Sequence, residues 1–153
     1  MKSRAWIGID PGKSGAVALI QQDGEIVADW PGDAAGAADL LTTWRLEFQI
    51  VLVALERVHA MPGQGVKSMF TFGQNFGQWE GILAALSLPH LQPSPQDWQR
   101  GLVKASDGPD SKARALTVAR RLFPDVDLSR KKDHGRADAL LLAWWARARG
   151  GAA

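Results

Sequence analysis

Three carboxylates stand where apolar segments of this 153-residue chain begin or end. Asp10 closes the run WIGI at 6–9 and opens the turn PGKSG. Glu56 closes IVLVAL at 50–55. Asp138 lies at the start of the apolar stretch ADALLLAWW. A charge beside so much hydrophobic sequence is costly to bury without compensation. Carboxylates gathered at one place repel each other and call for a cation, and oxygen ligands favour Mg²⁺ or Mn²⁺ over softer metals. Two such ions activate water and stabilise the leaving oxygen in phosphodiester cleavage. Asp133 and His134 precede Asp138 by five and four residues, and either joins the group if the last helix begins early, because i and i+4 share a helix face. Each acid alone has an ordinary explanation: a turn starter at Asp10, an ion pair with Arg57 at Glu56, helix-dipole complementarity at Asp138. Their joint placement at element ends is what points to metal-dependent hydrolysis.

A phosphate cradle is the rival reading of the first segment. Residues 8–14 read G-x-x-x-G-K-S, near the nucleotide-binding pattern G-x-x-x-x-G-K-[ST]. The match is one residue short, and Pro11 removes a backbone N–H that a cradle would use. The glycines are better explained as a tight turn that folds a second strand back and leaves Asp10 exposed at the sheet edge. On that reading no nucleotide cofactor is expected, and Lys13 becomes a contact for a polyanion backbone.

The acids need a scaffold. Residues 6–9, 16–20 and 25–30 read as three antiparallel strands joined by short turns, Asp23-Gly24 being a strong hairpin signal. A helix capped by Asp33 or Asp39 follows to about residue 48. The continuous apolar run at 50–55 suits a strand buried on both faces beside a parallel neighbour. A loop over 57–65 leads to a helix over 66–86, where Gly73, Gly77 and Gly81 recur on one face. Close packing inside the chain is the structural reading of that stripe, and a dimer interface the functional one. A short fifth strand at 88–92, a helical turn at 96–102, a polar loop at 104–110, a helix capped by Asp110 or Ser111, a charged connection at 129–135 and a last helix over 136–149 complete the chain. If strands one and four are parallel neighbours, Asp10 and Glu56 emerge at the same end of the sheet. Asp138 reaches them if the last helix packs across that face.

Composition narrows the classes. The length suits a single domain, 1–150, with a frayed tail at 151–153. There is no cysteine, hence no disulfide framework and no thiolate metal site. No apolar run approaches the ~20 residues of a membrane span, and the N-terminus lacks a signal-peptide core, so the expected setting is cytoplasmic. Net charge is +2 but uneven: residues 1–97 hold 6 Lys+Arg against 10 Asp+Glu, and 98–153 hold 12 against 6. A basic C-terminal third suggests a polyanionic partner, nucleic acid foremost.

The segments IGIDPGKSGAVALI, VALERVHAMPGQGVKSMFTFGQNFGQWEGIL and KKDHGRADALLLAWW, in this order, resemble the RuvC-type Holliday junction resolvases of the ribonuclease H-like superfamily, in the compact form found in phages and prophages. The resemblance implies an α/β fold, a five-stranded mixed sheet flanked by helices with strands four and five parallel to strand one. It implies a homodimer that nicks opposed strands of four-way DNA junctions with Mg²⁺, Mn²⁺ substituting. Nucleases for flaps, forks or RNA–DNA hybrids and a catalytically silent DNA-binding module are the alternatives. Carried over by motif, Asp10, Glu56 and Asp138 are the metal-binding catalytic acids, with Asp133 or His134 as fourth ligand. Lys104 and Lys112 resemble residues that hold the scissile strand, and Lys13, Arg130, Lys131, Lys132 and Arg136 extend the phosphate contacts. An aromatic that some members wedge into the junction is His59 here, with Met61, Phe70 and Phe72 as other candidates.

Overall fold

The computed structural model describes residues 1–57, 59 and 61–150; the expected tail at 151–153 lies outside them. A mixed sheet of five strands has the order β3-β2-β1-β4-β5. β1 (Arg4–Ile9), β2 (Ala16–Gln21) and β3 (Gly24–Asp29) form the antiparallel meander. β4 (Gln49–Leu55) runs parallel to β1, and β5 (His90–Leu91) parallel to β4. The helices are α1 (Ala34–Glu47), α2 (Val66–Ala85), α3 (Pro95–Gln99), α4 (Ser111–Leu122) and α5 (His134–Arg149).

Alternation along the strands divides the apolar residues between two cores. Ile7, Ile9, Val17 and Leu19 pack with Leu41 and Trp44 of α1 and with Trp79 and Leu83 of α2. On the opposite face Trp6, Ala18 and Ile20 pack with Leu116 of α4 and Leu141 of α5. β4 is buried only over Val53, Ala54 and Leu55, its N-terminal half being partly open. Asp33 caps α1, accepting from the Gly36 N–H at 2.8 Å, and Asp110 caps α4, accepting from the Ala113 N–H at 2.9 Å.

Two details carry the acids toward one another. The β1–β4 register sets Ile9 opposite Leu55, and the Glu56 N–H donates to the Ile9 carbonyl at 3.1 Å. Asp10 and Glu56 therefore leave the sheet side by side. On the other face α5 lies against the β1 backbone: a Cβ on Gly8 would strike the Ala139 carbonyl and the Ala143 nitrogen, and one on Gly135 would strike the Ser14 carbonyl. Only glycine permits these approaches, and they hold Asp138 over the end of β1. α5 starts at His134 rather than 136. A 3₁₀ turn over Lys131–Asp133 leads into it, closed by the Asp133 carboxylate accepting from the Arg130 N–H at 2.8 Å.

The glycine stripe of α2 corrects the expectation of close packing inside the chain. A Cβ on Gly73, Gly77 or Gly81 would meet nothing within 4 Å among the described residues. Trp79 and Leu83 face the core, so the stripe points outward, with Val66, Phe70 and Ala84 exposed on the same side. Strand five is also shorter than expected, and α3 begins at Pro95, fixed by a capping box. The Ser94 hydroxyl accepts from the Asp97 N–H at 3.2 Å, and the Asp97 carboxylate accepts from the Ser94 N–H at 2.9 Å.

Candidate metal and nucleic-acid site

Asp10 sits just past β1, where the Gly12 N–H donates to its Oδ1 at 3.0 Å. The turn is closed by the Asp10 N–H on the Ala16 carbonyl, 3.0 Å, and the Gly15 N–H on the Gly12 carbonyl, 2.9 Å. Gly15 lies against the Asp10 carbonyl so closely that a Cβ would overlap it. Glu56 is met from another element altogether. The indole Nε1–H of Trp98, on α3, donates to its Oε2 at 2.6 Å. Asp138 comes from the second turn of α5.

The three carboxylates resist ionisation together. Burial raises the pKa of Asp10, opposed by the Gly12 N–H and by the charge of His134. Burial and then the charge of Asp10 push Glu56 up to about 7, against the Trp98 hydrogen bond. Burial, Asp10 and Glu56 push Asp138 well above the ordinary carboxylate range, and only Lys112 opposes them. Glu56 thus feels Asp10, and Asp138 feels both of the others. Among the described residues no three His, Asp or Glu side chains already close into a metal cage: the donors are gathered but not drawn together. In kind they fit a hard divalent cation, being carboxylate oxygens whose mutual repulsion a positive charge would relieve.

The fourth-ligand candidates behave differently. Asp133 is buried and held by the fork of Arg130, whose Nη2 and Nε donate to Oδ1 at 2.7 and 3.1 Å. That pairing holds its pKa low. His134 has its charge felt at Asp10.

The expected phosphate contacts divide too. Arg130 is engaged with Asp133, and Arg136 clamps Asp29 of β3 with Nε–Oδ1 2.7 Å and Nη2–Oδ2 3.0 Å. Neither guanidinium is at leisure. The lysines Lys13, Lys104, Lys112, Lys131 and Lys132 are exposed and make no ion pair among the described residues. Lys112, Lys131, Lys132 and His134 line one hollow, of about 400 Å³. Lys13 borders a second with Lys132 and Asp133, and a third with Lys67, Ser68, Thr71 and Asn75 of α2. His59, Met61 and Phe70 are exposed, and Phe72 is half-buried. Trp98 is the site residue that sequence reasoning missed. Its only local signal is the Ser-Pro-x-Asp start of α3, which marks a helix but not what the helix touches.

No family model matches the chain. Over 88 residues, 56% of its length, it is 36% identical to "Holliday junction resolvase MOC1, chloroplastic" of Chlamydomonas reinhardtii; the match spans 10% of that longer protein. Its fold is similar to that of Thermus thermophilus RuvC in complex with a Holliday junction substrate, with a TM-score of 0.63 and 17% identity over 97% of this chain and 96% of that one. The T. thermophilus RuvC structure alone gives 0.60 and 19% over 96% of each. The yeast mitochondrial Holliday junction resolvase Ydc2 gives 0.54 and 18% over 94% of this chain and 77% of that one. The fold is therefore RuvC-like, a five-stranded mixed sheet flanked by helices. Among the described residues no helix is long and apolar enough to cross a membrane.

Proposed function

We propose that the chain is a divalent-metal-dependent endonuclease that resolves four-way DNA junctions, nicking opposed strands as a homodimer. One observation carries this reading: acids from three separate elements, Asp10, Glu56 and Asp138, gather at the C-terminal end of β1 and β4, where the charge of Asp10 raises the proton affinity of Glu56 and Asp138, and that of Glu56 raises Asp138. Two relatives are named as Holliday junction resolvases, and a fold relative is a complex with a Holliday junction substrate.

Asp10, Glu56 and Asp138 would hold Mg²⁺ or Mn²⁺, with His134 favoured as the fourth ligand because Arg130 occupies Asp133. A divalent cation bound there supplies Lewis-acid activation of water and neutralises charge at the leaving oxygen. The chain's own residues do the rest. Gly12 orients Asp10 through its N–H, and Trp98 orients Glu56. Lys112, Lys131 and Lys132, which line one hollow, and Lys13, which shares a second with Lys132, would draw in the phosphates. Binding held by such contacts weakens steeply with salt.

Cutting opposed strands requires two sites related by a two-fold axis. The outward face of α2 suits a second copy. In an antiparallel pairing about Gly73 and Gln74, Phe70 would cover the partner's Gly77, and Val66 the partner's Gly81.

The test is a synthetic four-way junction incubated with Mg²⁺. Paired symmetric nicks that vanish in Glu56→Gln are the expected result. Equal cutting of linear duplex overturns junction resolution, preference for a flap, fork or RNA–DNA hybrid moves the assignment to those substrates, and junction binding without Mg²⁺-dependent cutting leaves a DNA-binding module.

A further inference from the structure

Glu56 is the acid with the most specific neighbour. It ends β4, and the segment that supplies Trp98 is carried to it by the sheet itself. The Val53 N–H donates to the Pro89 carbonyl at 2.9 Å, and the Arg57 N–H to the Pro93 carbonyl at 2.8 Å. These bonds run the chain of 89–93 alongside β4 and past its end. Ser94 and Asp97 then cap α3, and Pro95 presets its first turn. The ring of Trp98 is 1% exposed and lies in the α4–α5 core, with Ala54 and Leu141 in the same cluster. An indole in that position is locked by packing on all sides, and its single polar atom meets Glu56 Oε2 at 2.6 Å.

The chemistry of that contact is one-directional. Indole Nε1–H donates and accepts nothing, so it cannot compete with a carboxylate for a cation. It occupies one lone pair of Oε2. Oε1 accepts no hydrogen bond among the described residues. A carboxylate held this way keeps one oxygen free while its rotamer is fixed by a group outside the metal's reach. Hydrogen bonds of this kind orient metal ligands, and their loss typically costs ~10–100-fold in metal affinity or activity.

We propose that Trp98 is a positioning residue for metal binding: its buried indole N–H holds Oε2 of Glu56 and so presents Oε1 to the cation shared with Asp10 and Asp138. This rests on reading those acids as the metal centre.

Trp98→Phe keeps an aromatic ring and removes the N–H. Calorimetric titration with Mn²⁺ at pH 8 is expected to show roughly tenfold weaker binding in this variant than in the unmodified protein. Junction cleavage should fall at low Mg²⁺ and recover at high Mg²⁺, a shift in metal requirement with little change in maximal rate. In a Glu56→Gln background the same substitution should cost nothing further, because Trp98 acts on the cation only through the Glu56 carboxylate. A role confined to core packing would lower the melting temperature without this coupling. Unchanged Mn²⁺ affinity in a folded Trp98→Phe overturns the proposal. If instead Glu56→Gln binds Mn²⁺ as well as the unmodified protein does, the metal-centre reading itself falls and takes the proposal with it. Should Trp98→Phe not fold, ¹⁵N-indole spectra of the unmodified protein decide: the Trp98 Nε1–H resonance should move on Mg²⁺ addition more than those of the other six tryptophans, and an unmoved resonance at saturation overturns the proposal.

Discussion

Gly8 and Gly77 both sit inside regular elements, yet their surroundings are opposite. At Gly8 a methyl group would land on the backbone of α5; at Gly77 it would meet nothing within 4 Å among the described residues. The first glycine is explained by what already touches it. β1 and α5 approach until no side chain fits between, and Asp138 arrives beside Asp10 as a result. The second has no such explanation inside the chain, and a glycine in a helix interior costs ~1 kcal/mol relative to alanine. One residue type marks a contact that folding has completed and a face that folding leaves open.

That contrast can be broken or sharpened by substitution. Gly8→Val should have the largest effect, because backbone on both sides of the seam must move. Overpacking of this kind costs ~3 kcal/mol, visible in urea unfolding, with all cleavage lost. Gly77→Leu should raise that unfolding curve by no more than the ~1 kcal/mol of helix propensity yet shift the protein to monomer in sedimentation velocity and turn paired nicks into single ones. A stable dimer of Gly77→Leu would remove α2 from the interface.

Burial of the acids, and then the closeness of their like charges, makes stability depend on pH. The Glu56 pKa is raised from 4.5 to about 7, so between those values the folded protein binds a proton that the unfolded chain has released. Without divalent ions, melting temperature should therefore fall as pH rises from ~4.5 to 7 on account of this group, and level off above. Glu56→Gln should melt higher than the unmodified protein at pH 8 and no higher at pH 4. Added Mg²⁺ should raise the melting temperature of the unmodified protein most at the higher pH. The smallest effect is Gly81→Ala, which should stabilise the dilute monomer by up to ~1 kcal/mol through helix propensity alone, measured by thermal unfolding.

Much of this was legible in the sequence, for identifiable reasons. The antiparallel meander and the ends marked by Asp10 and Glu56 follow from apolar runs with turn residues at their borders, which are local features, whereas the placement of strands four and five parallel to strand one comes from the resemblance to a known family. Asp138 was found because an acid at the head of an apolar helix is conspicuous. Contacts made only by the finished fold were not readable. Arg136 looked like a phosphate ligand, and no local pattern connects it to Asp29, 107 residues away. Trp98 and Glu56 are 42 apart and meet only because β5 pairs with β4. The stripe on α2 was visible, but sequence periodicity does not say whether a face is covered by the same chain.

The position of β1 has a further consequence for motion. It is hydrogen-bonded on both edges, to β2 and β4, and covered by a core on each face. Amides there and in α5 should exchange with solvent only through global opening, whereas those at 104–110 and 129–133, loops with a single 3₁₀ turn each and largely exposed, should exchange through cheap local openings. The carboxylates are thus fixed to the slowest-exchanging part of the molecule, and Lys104, Lys131 and Lys132 to the fastest. If the chain acts on branched DNA as proposed, the substrate would reshape the segments that grip it without disturbing the acids that would cut it.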